Sequence, residues 1–293
     1  MAVGMIGLGN IGGHVAVNLV ADGHEVAVFD VVAARAGEVA GARACDSVAE
    51  VGAASDVTIL SLPTPEIVEA AAAEWADVAP AGAVLVDLST NDPAVVRRLG
   101  EQLAGTGHHL VEAPLTGGSI GAERRALVFM VGGDDEAVAR VRPVLEPLGR
   151  ALFHLGPLGA GNTMKLVNSL IAFTTTWVSL EGLSIAAKSG LGVQDAVEVL
   201  RTAGASNFYV DRLVESIDGP GRPTQFALDL AAKDAGLIVG LGEARDVPTP
   251  AGAAVLDVLR AAVADGLGGR DWSDLVVAAE RQGDVTLRWS PSS

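Results

Sequence analysis

The run Gly7-Leu8-Gly9-Asn10-Ile11-Gly12 constrains this chain more than any other feature. It follows the apolar stretch Ala2 to Ile6 directly and opens a segment in which Val15, Leu19 and Val20 recur at helical spacing. A strand that turns so sharply into a helix needs glycine: Gly7 for the tight turn, Gly9 for close approach of a ligand to backbone, Gly12 for packing of helix on strand. The first helical turn then presents unsatisfied N–H donors suited to a pyrophosphate. A second strand, Glu25 to Phe29, ends at Asp30, 18 residues past Gly12. A carboxylate there accepts hydrogen bonds from both hydroxyls of an adenine ribose and repels a 2′-phosphate. The order predicts a dinucleotide site on Gly7, Leu8, Gly9, Asn10, Ile11, Gly12 and Asp30, with NAD preferred over NADP. Arg35 lies within a helical turn of Asp30 and is expected to be solvated.

The same alternation continues. Val57 to Leu62 and Ala83 to Leu88 are nearly continuous apolar runs, as parallel strands covered on both faces show, and Pro65 and Pro93 suit the first turns of the helices that follow. His109 to Ala113, Leu127 to Val131 and Leu152 to Leu155 are expected to complete a larger sheet, with Asp134 capping a helix that carries Ala137, Val138, Val141 and Leu145. Residues 1–161 therefore read as a doubly wound α/β domain. Beyond Gly161 apolar residues keep helical spacing and strand signals disappear. A long helix is predicted from about Asn162 to Lys188, able to connect two domains, followed by helices at Gln194 to Thr202, Phe208 to Ser216, Phe226 to Leu241, Pro250 to Asp265 and Trp272 to Arg281. Residues 162–293 read as an all-α domain, with Asp284 to Ser293 a loosely docked tail.

Composition removes several function classes. The formal net charge of −16 repels nucleic acid and anionic lipid. Cys45 is the only cysteine, so it forms no internal disulfide, and His14, His24, His108, His109 and His154 have no spacing that converges with it on a metal. It reads as a small buried thiol in a reducing, cytoplasmic compartment. The least charged stretch, Leu166 to Leu180, is shorter than the roughly 20 residues of a membrane span and carries six polar residues, so it reads as a buried helix. No serine-nucleophile elbow or Walker loop is present.

Five further segments, in order and spread over most of the chain, resemble the β-hydroxyacid dehydrogenase family, which includes 3-hydroxyisobutyrate dehydrogenases and tartronate semialdehyde reductases. Leu62-Pro63 is similar to the family's loop beside the cofactor, and Asp87-Leu88-Ser89-Thr90 to its Asp-x-Ser-Thr segment, which implies that Thr90 lies near the nicotinamide. Ala113-Pro114-Leu115-Thr116-Gly117-Gly118 resembles the substrate-carboxylate loop, with Thr116 where Ser is usual; the resemblance implies that Thr116, Gly117 and Gly118 hold the acid group. Gly159 to Asn168 resembles the catalytic segment, which implies Lys165 as general acid/base and Asn168 as the amide that positions the reacting oxygen. Helical geometry agrees, since Lys165, Asn168 and Ser169 share a face. Ser169 departs from the Asn or Gln of many relatives. Phe226 to Asp234 resembles the Lys-Asp segment, which implies that Lys233 reaches the cofactor. Arg125, where relatives commonly have Gly, reads as a surface replacement rather than a contact to a second acidic group on the substrate.

The resemblance implies hydride transfer between NAD and a short 3-hydroxy acid or its semialdehyde or 3-oxo acid, a small carboxylated partner. The apolar long helix and the helical second domain would expose too much surface alone, so a homodimer or homotetramer is expected. The rivals are an imine reductase of the same fold, which generally lacks the lysine, and a noncatalytic dinucleotide-binding sensor. A 6-phosphogluconate dehydrogenase is weaker, because that group resembles Lys-x-x-His-Asn where this chain has Lys165-Leu166-Val167-Asn168-Ser169.

Overall fold

The computed structural model describes residues 1–217 and 224–289; the end of the predicted tail, 290–293, lies outside the described residues. By contacts the chain divides into two units, Met1–Leu166 and Val167–Ser293.

The first unit is built on a six-stranded parallel sheet in the order β3-β2-β1-β4-β5-β6, with β1 at Ala2–Ile6, β2 at Glu25–Phe29, β3 at Arg43–Ala44, β4 at Val57–Leu60, β5 at Val84–Asp87 and β6 at His109–Glu112. Between them run α1 (Gly12–Ala21), α2 (Ala33–Gly37), α3 (Val48–Ala53), α4 (Pro65–Ala76) and α5 (Pro93–Gly105). Side-chain alternation along the strands divides the core in two. Val3, Met5, Val57, Ile59, Val84 and Val86 pack on one face with Val15 and Leu19 of α1. Ile6, Leu60 and Leu85 pack on the other with Val51, Val68 and Trp75. Helix starts follow local chemistry: Thr64 and Asp92 accept from the first-turn N–H groups of Ile67 and Ala94, each with proline as the next residue.

One expectation is corrected. The strands at Leu127 and Leu152 do not extend the large sheet; they form a second sheet, β7-β8-β9, with β7 at Leu115–Thr116, β8 at Leu127–Val131 and β9 at Gly149–His154. Pro114 explains the break, because it has no N–H to continue a ladder after β6. The chain runs on in the same direction: Glu112 bridges Gly132, and Leu115 and Thr116 pair with Phe129 and Val128 in the same antiparallel register, so this segment leaves β5 and joins the two sheets through β8. Around this sheet lie α6 (Gly118–Glu123) and α7 (Asp135–Leu145), the latter capped by Asp134. The short elements β3, α3, β7 and α6 were absent from the sequence reading.

Helix α8 spans Ala160–Lys188, 29 residues. By length and composition it is apolar enough to cross a membrane. Its Leu166, Phe173, Trp177, Leu180 and Leu183 are nevertheless buried in the protein, as in a core helix. The second unit continues with α9 (Val193–Thr202), α10 (Phe208–Ile217), α11 (Leu228–Glu243), α12 (Pro250–Ala262) and α13 (Leu275–Gly283). Within it Phe173 stacks on Phe226 and tilts against Trp272. Among its described residues the only strand-like pairing is a bridge between Ala227 and Asp271.

Trp75 shows how tightly the first unit is packed: it is fully buried, and its Nε1–H donates to Thr58 Oγ1 on β4 at 2.8 Å. Trp75→Ala is expected to cost about 3–5 kcal/mol, read as a lowered urea midpoint at unchanged slope; a loss under about 1 kcal/mol would contradict this packing.

Candidate active site

The parallel register lines up the strand ends. Phe29, Ile6, Leu60, Asp87 and Glu112 are successive Cα partners across β2, β1, β4, β5 and β6. Every loop leaving those strands therefore starts from one edge, where ligands of open α/β sheets bind.

At β1 that loop is the glycine run. Gly7 has φ +88°, and a Cβ there would lie 2.3 Å from the carbonyl oxygen of Ser61. A Cβ on Gly12 would lie 1.9 Å from the carbonyl oxygen of Gly7, whereas nothing stands within 4 Å of one on Gly9. The turn and the helix contact are thus closed to side chains while the middle glycine faces open space. This fits a pyrophosphate lying on backbone. Leu8 is buried; Gly9 and Asn10 are exposed and Ile11 is half-buried.

Asp30, next along the edge, is 8% exposed. Its Oδ2 accepts from Leu8 N–H at 2.7 Å, and its Oδ1 from Val32 N–H at 2.8 Å. Burial pushes this carboxyl up, but the Val32 and Leu8 N–H groups and the Arg35 guanidinium outweigh it and hold it below its ordinary value. Arg35 is not simply solvated: it is half-exposed yet pairs with Asp30 at 3.3 Å. Val31 and Val32 stand exposed beside the pair.

At β4 and β5 the loops are tied together. Leu62 N–H donates to Ser89 Oγ at 3.0 Å, joining the half-buried Leu62 and exposed Pro63 to the segment that carries the half-buried Thr90. Thr116 ends β7 opposite Val128, and Gly117 and Gly118 follow with φ of +125° and +62°, backbone that a larger residue would strain. Lys165 lies half-buried in the second turn of α8. These residues all belong to the first unit. Asn168, half-buried one turn further along α8, and Lys233 on α11 belong to the second, where Lys233 Nζ lies 2.9 Å from the buried Asp234 carboxylate. Ser169 is buried.

The sequence reading missed a buried polar chain running beneath this edge. Asp87 Oδ1 accepts from Ser89 N–H at 2.9 Å, and Asn91 Nδ2 donates to its Oδ2. Asn91 N–H donates to Asn162 Oδ1 at 2.7 Å. Asn162 in turn donates to Glu112 Oε2 through its backbone N–H at 3.0 Å and its Nδ2 at 2.6 Å. Glu112 Oε1 accepts from the N–H groups of Gly159 and Gly161. Glu112 and Asn162 have no exposure, and Asp87 and Asn91 almost none. A readable signal existed: Asp87 and Glu112 are acids closing otherwise apolar strands, and a buried charge requires partners.

Arg125 has φ +56°, in the left-handed region that favours glycine. Its guanidinium pairs with Asp22 at 2.8 Å and donates to the carbonyls of Asn18 and Pro147, a staple on the surface of the first unit. Cys45 is buried, which pushes its thiol up. Among the described residues no group of three or more His, Cys, Asp or Glu is arranged to hold a metal.

Two family models divide the chain between them. Residues 2–156 match the NAD-binding domain of 6-phosphogluconate dehydrogenase, and residues 159–279 match the NAD-binding domain of NADP-dependent 3-hydroxyisobutyrate dehydrogenase. The chain is 32% identical over 291 residues to 2-(hydroxymethyl)glutarate dehydrogenase of Eubacterium barkeri, covering 97% of each. The chain belongs to the β-hydroxyacid dehydrogenase family. Its fold is that of the 3-hydroxyisobutyrate dehydrogenase of Mycobacterium tuberculosis solved with L-serine, at TM-score 0.86 and 30% identity over 94% of this chain and 98% of that one. An imine reductase from Pseudomonas sp. aligns at TM-score 0.65 and 21% identity, over 94% and 98% of the two chains, a likeness of fold alone. As a family member the protein is an NAD-dependent oxidoreductase.

In this dehydrogenase Asp87 titrates unusually. Burial raises its pKa from 3.8 to about 6, and the neighbouring Glu112 charge adds to the rise against hydrogen bonds from Ser89 and Asn91. The folded state thus keeps a proton that the unfolded chain has released between those values, so this group makes stability fall as pH rises from about 4 to about 6 and adds no slope above. Asp87→Asn is expected to remove that part of the slope, up to about 3 kcal/mol. Unfolding midpoints of both proteins from pH 4 to 7 check it, and parallel curves would contradict it.

Proposed function

We propose that this enzyme interconverts a short 3-hydroxy acid and its semialdehyde or 3-oxo acid, with Lys165 as the general acid/base. One observation carries the reading. The open backbone at Gly9, the Asp30 carboxylate, the Leu62-Pro63 loop and Thr90 leave one edge of one sheet, and Lys165 follows, within two turns, a helix start that is hydrogen-bonded to that edge.

NAD, when bound, supplies the carrier that takes the hydride from the alcohol carbon or returns it to the carbonyl. The residues assigned to hold it are Gly7, Leu8, Gly9, Asn10, Ile11 and Gly12 at the pyrophosphate, Asp30 at the ribose hydroxyls, Leu62, Pro63 and Thr90 along the nicotinamide side, and Lys233. Asp30 supports NAD over NADP, because its charge would repel a 2′-phosphate. Arg35 already engages that charge.

Lys165 accepts the hydroxyl proton in oxidation and gives it back to the carbonyl oxygen in reduction. Asn168, three residues on and on the same helical face, orients that oxygen. Thr116 offers a hydroxyl, and Gly117 and Gly118 offer N–H groups, to the substrate carboxylate. The retained lysine favours a carbonyl over an imine substrate, and a purely sensing protein has no need of Lys165, Asn168 and Thr116 together.

An exposed face of α8 supports assembly with a second copy. Ile171, Val178 and Ile185 stand 56%, 59% and 68% exposed at heptad spacing. A second copy of the chain would cover such a stripe, which supports a homodimer or homotetramer. The lone buried thiol suits a reducing cytoplasm.

Initial rates of NADH and NADPH oxidation against a panel of short semialdehydes and 3-oxo acids, with cyclic imines alongside, test the reading. Turnover of a carboxylated aldehyde with NADH is expected, and Lys165→Ala should lower kcat by roughly 10²–10⁴-fold while NADH binding by fluorescence titration persists. Near wild-type kcat in that variant would end the lysine mechanism; activity on imines alone would move the protein to the imine reductases.

A further inference from the structure

We propose that Glu112 is a positioning residue for Lys165: its buried carboxylate clamps the start of α8 and, through Asn162 and Asn91, ties it to the loop that carries Thr90. The proposal rests on the reading of Lys165 as the acid/base.

Helix α8 begins at Ala160, so its first N–H groups have no partners within the helix. Usually one nearby Ser, Thr, Asp or Asn side chain satisfies one of them. Here a glutamate 47 to 50 residues earlier, at the end of β6, takes three backbone N–H groups and a side-chain amide in that segment, two donors on each oxygen. Its negative charge also complements the positive end of the helix dipole.

The surroundings are shaped for this carboxylate. A Cβ at Gly132 would lie 2.3 Å from Glu112 Oε1. One at Gly161 would lie 2.3 Å from the Met130 carbonyl oxygen and 3.2 Å from Glu112 Cδ. Two glycines thus leave the room that the clamp occupies.

Its mechanical consequence follows from helix geometry. Lys165 is three residues past Asn162, on the adjoining turn of the same face, about 4.5 Å further along the axis. The turn that Glu112 holds therefore fixes the axial position and rotation of the lysine. The opposite end of the chain reaches the cofactor edge, because Asn162 Oδ1 accepts from Asn91 N–H, Asn91 holds Asp87, and Asp87 holds Ser89. Nothing in this set needs to touch substrate. It sets the reach of the one group that exchanges the proton, and small displacements of such a group are costly to rate.

Glu112→Gln keeps the shape but places an NH2 group against two donors whichever way the amide is turned. The expected result is a kcat at least tenfold lower, with KM for the hydroxy acid and the NADH Kd each within threefold of wild type. Hydrogen exchange read by mass spectrometry should speed up in peptides covering 157–166 and stay unchanged in those covering β1 and β4. Asn162→Ala, which leaves the carboxylate three donors and also removes the acceptor of Asn91 N–H, is a second variant should Glu112→Gln fail to fold; its kcat should fall as well, with the same separation from binding. A folded Glu112→Gln protein with kcat within twofold of wild type would overturn the proposal. So would a loss shared equally by kcat and NADH affinity with faster exchange throughout the sheet, because that pattern marks a general role in the fold. Lys165→Ala in the same series separates the two claims: if it keeps turnover, the acid/base reading fails by itself, and exchange at 157–166 still decides whether Glu112 clamps α8.

Discussion

Five parallel strands ending in register govern the site. Because Phe29, Ile6, Leu60, Asp87 and Glu112 face one another across the sheet, residues far apart in the chain emerge at one edge. The same register has a cost. It brings Asp87 and Glu112 onto neighbouring strands, within about 5 Å of backbone separation, where both are buried. Both carboxyls lose hydration there, which pushes both up from their ordinary values, and the Glu112 charge adds to the rise at Asp87.

The hydrogen bonds around those two acids offset that cost and join loops and a helix start into one unit. Ser89 and Asn91 belong to the loop after β5, Gly159 to Asn162 to the start of α8, and Leu62 to the loop after β4. A polar network of this kind tolerates few alternative arrangements, since an unpartnered buried donor costs as much as a lost hydrogen bond. Rigidity near a reacting group is thereby obtained from groups with no direct part in the chemistry.

Much of the organisation was legible along the chain. The glycine run, the strand–helix alternation and Asp30 pointed to a doubly wound domain because each is a local requirement: a positive φ at Gly7, close packing at Gly12, apolar runs covered on both faces. The change at Gly161 to helical spacing announced a helical second unit for the same reason. What failed was non-local. The second sheet was assigned to the first because Leu127 to Val131 reads as a buried strand in either, and only the path of the chain past Pro114, where it leaves β5 and pairs with β8, decides which partner it meets. The two-residue strands β3 and β7 are too short to carry periodicity, and Arg35 paired with Asp30 through a side-chain choice that spacing does not express.

By itself the sequence determined the fold class, the cofactor fingerprint and, by its resemblance, the family, because those depend on residue type at short spacing. Only the tertiary structure decided which acids are buried and what holds them. Glu112 sits in the chain as an ordinary residue before Ala113-Pro114, and nothing within a few positions of it foretells four donors from a segment about 50 residues away. Its role exists only once β6, β8 and the start of α8 are packed together, because burial, which makes a charge demand partners, is a property of the packed molecule rather than of the chain.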